Sequence, residues 1–140
     1  MTYSIGEIAK KFNLSVSTLR YYDKEGLIPN LEKSKSGIRI FNDFSISSLV
    51  TVECLKRSDM PLKDIKQFIE WCKEGDATLE KRRDMFLERR LLVEQQIQKL
   101  NKTLDYINHK CQYYEKAVND GSEKNVLQTI STPEELSNYL

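Results

Sequence analysis

Apolar residues recur at helical spacing through most of this chain, broken by one short alternating segment and giving way to a seven-residue repeat in the second half. Ser4-Ile5-Gly6-Glu7 has the form of a capping box, with Tyr3 and Ile8 where a hydrophobic staple would sit. Ile5, Ile8, Ala9 and Phe12 share a stripe, which predicts a helix to about Phe12. Asn13-Leu14 reads as a turn. Ser15 then caps a second helix that turns Val16, Leu19 and Tyr22 inward and ends at Gly26, with Pro29 beyond. From Pro29 to Phe41 the pattern alternates around the turn residues Ser34-Lys35-Ser36-Gly37, with Ile38 and Ile40 set against Arg39 and Phe41. That segment predicts a two-stranded hairpin. Asn42/Asp43 opens a third helix to about Arg57. Asp59-Met60-Pro61 breaks it, and Pro61 is expected in the first turn of a fourth helix. Leu62, Ile65, Phe68, Ile69 and Cys72 fall on one side of that helix.

Beyond Gly75-Asp76 the repeat lengthens to seven. Leu79, Phe86, Val93, Leu100, Ile107 and Tyr114 form one seam, and Ile97, Leu104, Cys111 and Val118 form a second, as in a coiled coil. The segment 78–119 would extend for roughly 63 Å. A chain of this size has nothing to cover so long a stripe, so the pattern asks for a partner helix, most simply from a second copy. Arg83 and Arg90 interrupt one seam, where a buried unpaired arginine is costly. Pairing with Glu80, Glu88 or Glu94 at the surface would relieve that cost. Asp120-Gly121-Ser122 ends the helix. A loop with Val126, Leu127 and Ile130 is expected to lead to a short capped helix from Thr132-Pro133. The expected division is a head over 1–75, a dimerisation helix over 76–120 and a short tail over 121–140.

Composition narrows the function. The 140 residues carry a net charge of only +1, yet residues 1–42 hold 7 basic against 4 acidic side chains. A polyanion would then be met through a small directed surface rather than a basic coat. No apolar run approaches a bilayer span and no signal-peptide core is present, so a cytoplasmic protein without membrane attachment is expected. Cys54, Cys72 and Cys111 form neither a disulfide framework nor a zinc motif. A single histidine, His109, and the lack of a glycine-rich loop or clustered ligands argue against an enzyme; no cofactor and no metal are expected. Cys72 and Cys111 lie on apolar seams and read as packing residues.

A helix that enters the major groove presents short polar groups near its start and longer donors behind them. Ser17, Thr18, Arg20 and Tyr21 on the outer face of the second helix fit that requirement. Lys35 and Arg39 on the hairpin, near Lys33, suit the phosphate backbone on one side. Lys56, Arg57 and Lys63 around the break between the third and fourth helices suit it on the other.

Leu19-Arg20-Tyr21-Tyr22, Glu25-Gly26-Leu27-Ile28-Pro29, Gly37-x-Arg39-x-Phe41 and Met60-Pro61-Leu62 together resemble the MerR family of bacterial transcription regulators over about the first 75 residues. The resemblance implies a mainly α fold: a winged helix-turn-helix head with a small hairpin wing, then a long dimerisation helix that forms an antiparallel coiled coil. It implies a homodimer on a promoter whose −35 and −10 elements are too far apart, with spacer distortion that lets RNA polymerase use both. Phe41 stands where a tyrosine is more usual there, which removes a hydroxyl that would reach a phosphate. Metal-sensing members carry a cysteine at the start of the long helix and a paired-cysteine loop after it; this chain has Thr78 and no cysteine or histidine in 119–140. Drug-sensing members carry a large extra domain, for which about 20 residues would be too few. Cys54 shares a helix face with Arg57, and positive charge beside a thiol favours its thiolate. With a short tail, this placement is similar to the AdhR/NmlR branch, associated with aldehyde, electrophile or nitrosative stress. The other reading of Cys54 is a small buried hydrophobe. Two further readings stay open: a regulator that senses a non-covalent small molecule between head and coiled coil, and a coiled-coil protein-interaction module.

Overall fold

The structure, a computed structural model, describes residues 1–127 and 131–140. It forms two compact units, Met1–Arg89 and Arg90–Leu140. In the first, β1 (Tyr3–Ser4) leads into α1 (Ile5–Lys11) and α2 (Val16–Lys24), followed by β2 (Glu32–Lys33), β3 (Arg39–Phe41), α3 (Asp43–Arg57) and α4 (Leu62–Glu74). A 3₁₀ turn at Asp76–Thr78 opens α5 (Leu79–Asp120), which continues into the second unit. There α6 (Lys124–Leu127) and α7 (Pro133–Leu136) follow, with a last 3₁₀ turn at Ser137–Tyr139.

Capping sets most of the helix starts. Ser4 Oγ accepts from the Glu7 amide while Glu7 Oε2 accepts from the Ser4 amide. Ser15 Oγ accepts from the Thr18 amide, and Asn42 and Ser45 exchange the same pair of bonds at α3. Between α1 and α2 the chain reverses at Asn13, whose φ is 53°, a conformation open to asparagine through its short polar side chain. Gly26 ends α2 at φ +73° with nothing near a would-be Cβ, so the backbone angle alone selects glycine there.

Ile8, Leu19, Leu27, Phe41, Leu49, Val52 and Leu55 form the centre of the core, with Ile65 and Ile69 of α4 closing it. Each fully buried Leu or Ile contributes roughly 1.5–3 kcal/mol over its exposed state. Four expectations change. The hairpin is one part of a three-stranded antiparallel sheet ordered β1-β3-β2, because Tyr3 and Ser4 pair with Phe41 and Ile40. The buried side of β3 is that of Phe41, which packs among the helices, while Ile38 stands exposed at the turn. Pro61 is the N-cap of α4 rather than a residue of its first turn, and its side chain provides no capping bond. Val126 and Leu127 lie in the short α6 rather than a loop; Ile130, expected in the same loop, lies outside the described residues.

In the second unit Val126 is buried, as is Ala117 of α5. Tyr139 meets Tyr106 edge-on at 5.3 Å and lies over His109 at 6.2 Å, and His109 is half-buried. Arg83 pairs with Asp84 rather than a glutamate, and Arg90 with Glu94 at 3.9 Å. Among the described residues no helix is long and apolar enough to cross a membrane.

A polar network ties α2 to α3. The hydroxyl of Tyr22, itself buried, donates to Glu53 Oε1, and Lys56 Nζ donates to that hydroxyl at 3.0 Å. Burial first, and the bond to Glu53 second, raise the Tyr22 hydroxyl above its ordinary value of 10.0. A raised folded-state value means the stabilisation is complete below the ordinary tyrosine value and is lost as pH rises through the raised one. Tyr22→Phe is therefore expected to cost about 1 kcal/mol near neutrality. Urea melts of the variant should also lack the component of destabilisation that the wild type shows above pH 10.0.

Candidate nucleic-acid interface

The outer face of α2 and the wing formed by β2 and β3 meet in a groove of about 660 Å³. Ser17, Arg20, Tyr21 and Lys24 line it from α2, and Lys33 and Arg39 from the wing. The buried side of α2, Leu19 and Tyr22, fixes which side chains are left outward, since positions three apart share a face. Among the described residues that line the groove, Asp23 is the one acidic side chain. It accepts from Arg39 Nε at 2.8 Å and lies 3.2 Å from Lys33 Nζ, so one carboxylate binds the wing to the helix. Both cations are partly exposed, and the groove keeps an excess of positive charge.

The structure brings together Ser17, Arg20, Tyr21 and Arg39 of the expected contacts. Arg20 and Tyr21 are exposed, and the Tyr21 ring lies 6.2 Å from that of Tyr22. Thr18 is half-buried with Oγ1 2.7 Å from Ser15 Oγ, which places its hydroxyl in the helix cap. Lys35 sits exposed in the wing turn outside the groove lining. Around the α3–α4 break the expected trio divides. Lys56 is committed to Tyr22, and Arg57 Nε lies 3.8 Å from Glu53. Lys63 is exposed in the first turn of α4 with no ion pair among the described residues. Glu25 and Lys66 form a further pair that joins the end of α2 to α4; the hydrogen bond from Lys66 lowers the Glu25 carboxyl from its ordinary value.

Sequence reasoning missed Asp23 and Glu53. Their partners lie 16 and 31 residues away, and no local pattern marks a carboxylate that waits for a distant cation or hydroxyl. Phe41 is fully buried, so its side chain belongs to the core and is not aimed at a phosphate. Cys54 is exposed on α3, which removes the reading of it as a small buried hydrophobe. Arg57, expected to stand beside the thiol, has Glu53 as its ionic partner. Cys72 is half-buried, and Cys111 is exposed. Thr78 is buried with its hydroxyl bonded to the carbonyls of Trp71 and Gly75, a structural post between α4 and α5.

Of the seam residues, Leu79, Phe86, Ile97, Leu100, Leu104, Cys111, Ile107 and Tyr114 are exposed, and Val93 is half-buried. Leu100 keeps 68% of its surface in solvent and Val118 keeps 78%. Phe86 meets Phe68 of α4 edge-on at 5.3 Å, and Tyr114 meets Tyr113 of the same helix edge-on at 4.9 Å.

Comparison with known proteins agrees with this geometry. The family model described as "MerR family regulatory protein" matches residues 4–41, the segment from the first capping box to the end of the wing. An uncharacterised HTH-type transcriptional regulator of Haemophilus influenzae is 42% identical over 126 residues, 90% of this chain and 93% of the relative. The HTH-type transcriptional regulator AdhR of Bacillus subtilis is 33% identical over 92 residues, 65% of this chain and 66% of its own. Among solved structures, HiNmlR, a MerR family regulator lacking the sensor domain and bound to promoter DNA, superposes with a TM-score of 0.86 at 40% identity. That match covers 94% of this chain and 98% of HiNmlR. A MerR family regulator from Bacillus thuringiensis gives 0.73 at 42% identity, over 80% of this chain and 98% of its own. With its capped helix-turn-helix, its wing and its long following helix, the chain belongs to the MerR family of DNA-binding transcriptional regulators.

Proposed function

We propose that this protein binds promoter DNA as a homodimer and regulates transcription by distorting an over-long spacer, so that RNA polymerase engages both promoter elements. The observation that carries this reading is the groove in which α2 and the wing present Arg20, Tyr21, Lys33 and Arg39 together. Residues 1–75 act as the reading head, 76–120 as the dimerisation helix and 121–140 as the tail. Ser17, Arg20 and Tyr21 meet the major groove; Thr18 supports them through the helix cap. Lys35, Arg39 and Lys63 hold phosphates, with Lys56 and Arg57 as the flanking cations of α3.

The exposed seam on α5 supports the dimer. Leu79, Phe86, Val93, Ile97, Leu100, Leu104, Ile107, Cys111 and Tyr114 would be covered by the antiparallel helix of a second copy. Two heads held at fixed separation then meet successive turns of the duplex. HiNmlR is seen on promoter DNA, which supports the same partner for this chain.

Cys54 is the proposed sensor. Its Sγ is reachable from solvent, and it follows Glu53, the acceptor for Tyr22 of the recognition helix. Addition of the thiolate to an aldehyde carbon, with a solvent proton taken up by the new hydroxyl, would place a bulky neutral adduct beside that network. The shift would reach α2 through the Glu53–Tyr22–Lys56 bonds.

Arg20→Ala is expected to cost about 1–3 kcal/mol in specific binding and to relax sequence preference, while Lys35→Ala weakens all duplexes alike and lowers the salt slope by about one. Gel-shift titrations at several salt concentrations read both; retention that ignores salt would instead favour a protein-interaction module. Leu100→Lys together with Leu104→Lys should halve the mass seen by light scattering and weaken operator binding by about 100-fold through lost bivalency. Promoter output in response to formaldehyde should vanish in Cys54→Ser and persist in Cys111→Ser; an unchanged response in Cys54→Ser removes the sensor assignment.

A further inference from the structure

Unit 1 contains a second cavity, of about 470 Å³, that shares no residue with the groove between α2 and the wing. Its size falls within the range of small-molecule sites. It lies between α3, α4 and the first turns of α5, and its lining divides by chemistry. Phe44, Phe68 and Ile69 supply an apolar wall, and Ser47 and Thr51 supply hydroxyls. Lys73 and Arg82 supply charge, and among the described residues no aspartate or glutamate lines the space.

The two cations differ. Lys73 is neutralised by Glu70 at 3.0 Å. Arg82 has no carboxylate partner among the described residues. It is held by two neutral oxygens, Nε on Thr78 Oγ1 at 3.1 Å and Nη2 on the Gly75 carbonyl at 2.9 Å. The guanidinium is thus partly buried, fixed in orientation and uncompensated, with Nη1 uncommitted. A pre-oriented guanidinium favours a carboxylate, which it binds through parallel N–H donors. Phe44, on the same lining, leaves 65% of its surface in solvent, an apolar group largely without cover.

We propose that this cavity binds a small organic carboxylate with an apolar body, the carboxylate on Arg82 and the body between Phe44 and Phe68. The same Arg82 bonds to Gly75 and Thr78 span the joint between α4 and α5, so an anion drawn onto Arg82 acts on that joint. An effect on transcription rests on the function proposed above; binding itself does not.

The test is isothermal titration of the full chain with phenylacetate, its neutral analogue phenylacetamide and inorganic phosphate. Phenylacetate should bind saturably, the amide at least about tenfold more weakly, and phosphate should not compete at equal concentration. Arg82→Gln should lose at least about tenfold in affinity, with Arg82→Lys recovering part of it. Arg82 also braces the joint, so Phe44→Ala is the second variant: its exposed ring should be removable with an unchanged thermal melt and a severalfold loss of affinity. The proposal falls if phenylacetate does not bind, if the amide binds as tightly, if phosphate competes equally, or if Phe44→Ala binds like wild type. A second copy seated in the cavity would appear as absence of binding and would count against it equally. Promoter retention measured on the same preparation separates the two readings: loss of DNA binding with phenylacetate binding intact overturns the regulator and leaves the site.

Discussion

The burial of Leu19 and Tyr22 is the constraint on which the proposed reading surface depends. These residues, three apart on one turn of α2, sit in a core shared with Ile8, Leu49 and Phe41. With them fixed, helical geometry leaves Ser17, Arg20, Tyr21 and Lys24 on the opposite side. A slip of one residue along α2 would turn the recognition face by about 100°. The hydroxyl of Tyr22 adds a polar lock to the apolar one. It reaches Glu53 and Lys56 on α3, so that α2 is held both by packing and by directed bonds.

Charge in this molecule is allocated rather than abundant. Several cations that a count would assign to nucleic acid are spent on internal order: Arg39 and Lys33 on Asp23, Lys66 on Glu25, Lys56 on Tyr22. Arg20, Lys35 and Lys63 form no ion pair among the described residues. A near-neutral chain can therefore hold a positive surface where α2 meets the wing. The Asp23 carboxylate lowers the charge there and sets the wing's position in exchange. Partly exposed pairs of this kind contribute only modest stability, so much of their value lies in geometry.

The long helix obeys a different constraint. A helix of 42 residues satisfies its own backbone, but its apolar seam has no counterpart along most of its length in the described chain. Leu100, Leu104 and Ile107 stand in solvent, an arrangement that an isolated chain sustains at a cost of unburied apolar area. Where the seam approaches Phe68, through Phe86, the first unit covers part of it. In the second unit the tail meets residues outside the seam, with Tyr139 against Tyr106 and Glu123 accepting from Tyr113. Beyond Phe86 the seam is left largely in solvent among the described residues, the feature on which the proposed dimer rests.

The sequence alone determined the helices of the head, the long helix, most of their caps and the heptad seam, because each is written in residues within a turn or two of one another; the short α6 and the N-cap position of Pro61 were not read from it. Ser4 with Glu7, Ser15 with Thr18, and the sevenfold recurrence from Leu79 to Tyr114 need no distant partner to be recognised. The outward set on α2 was legible for the same reason, since Leu19 and Tyr22 declare the buried side. Only the tertiary structure decided what joins those elements. The third strand at Tyr3–Ser4 is two residues long and becomes a strand only when Phe41 and Ile40 lie beside it. Asp23 and Glu53 acquire their roles from groups 16 and 31 residues away, and Cys54 is exposed because the core takes Leu49, Val52 and Leu55 from the other faces of α3. Local periodicity encodes which side of a helix is buried. Which carboxylate meets which cation depends on how whole helices pack, and that information is not carried by any single segment.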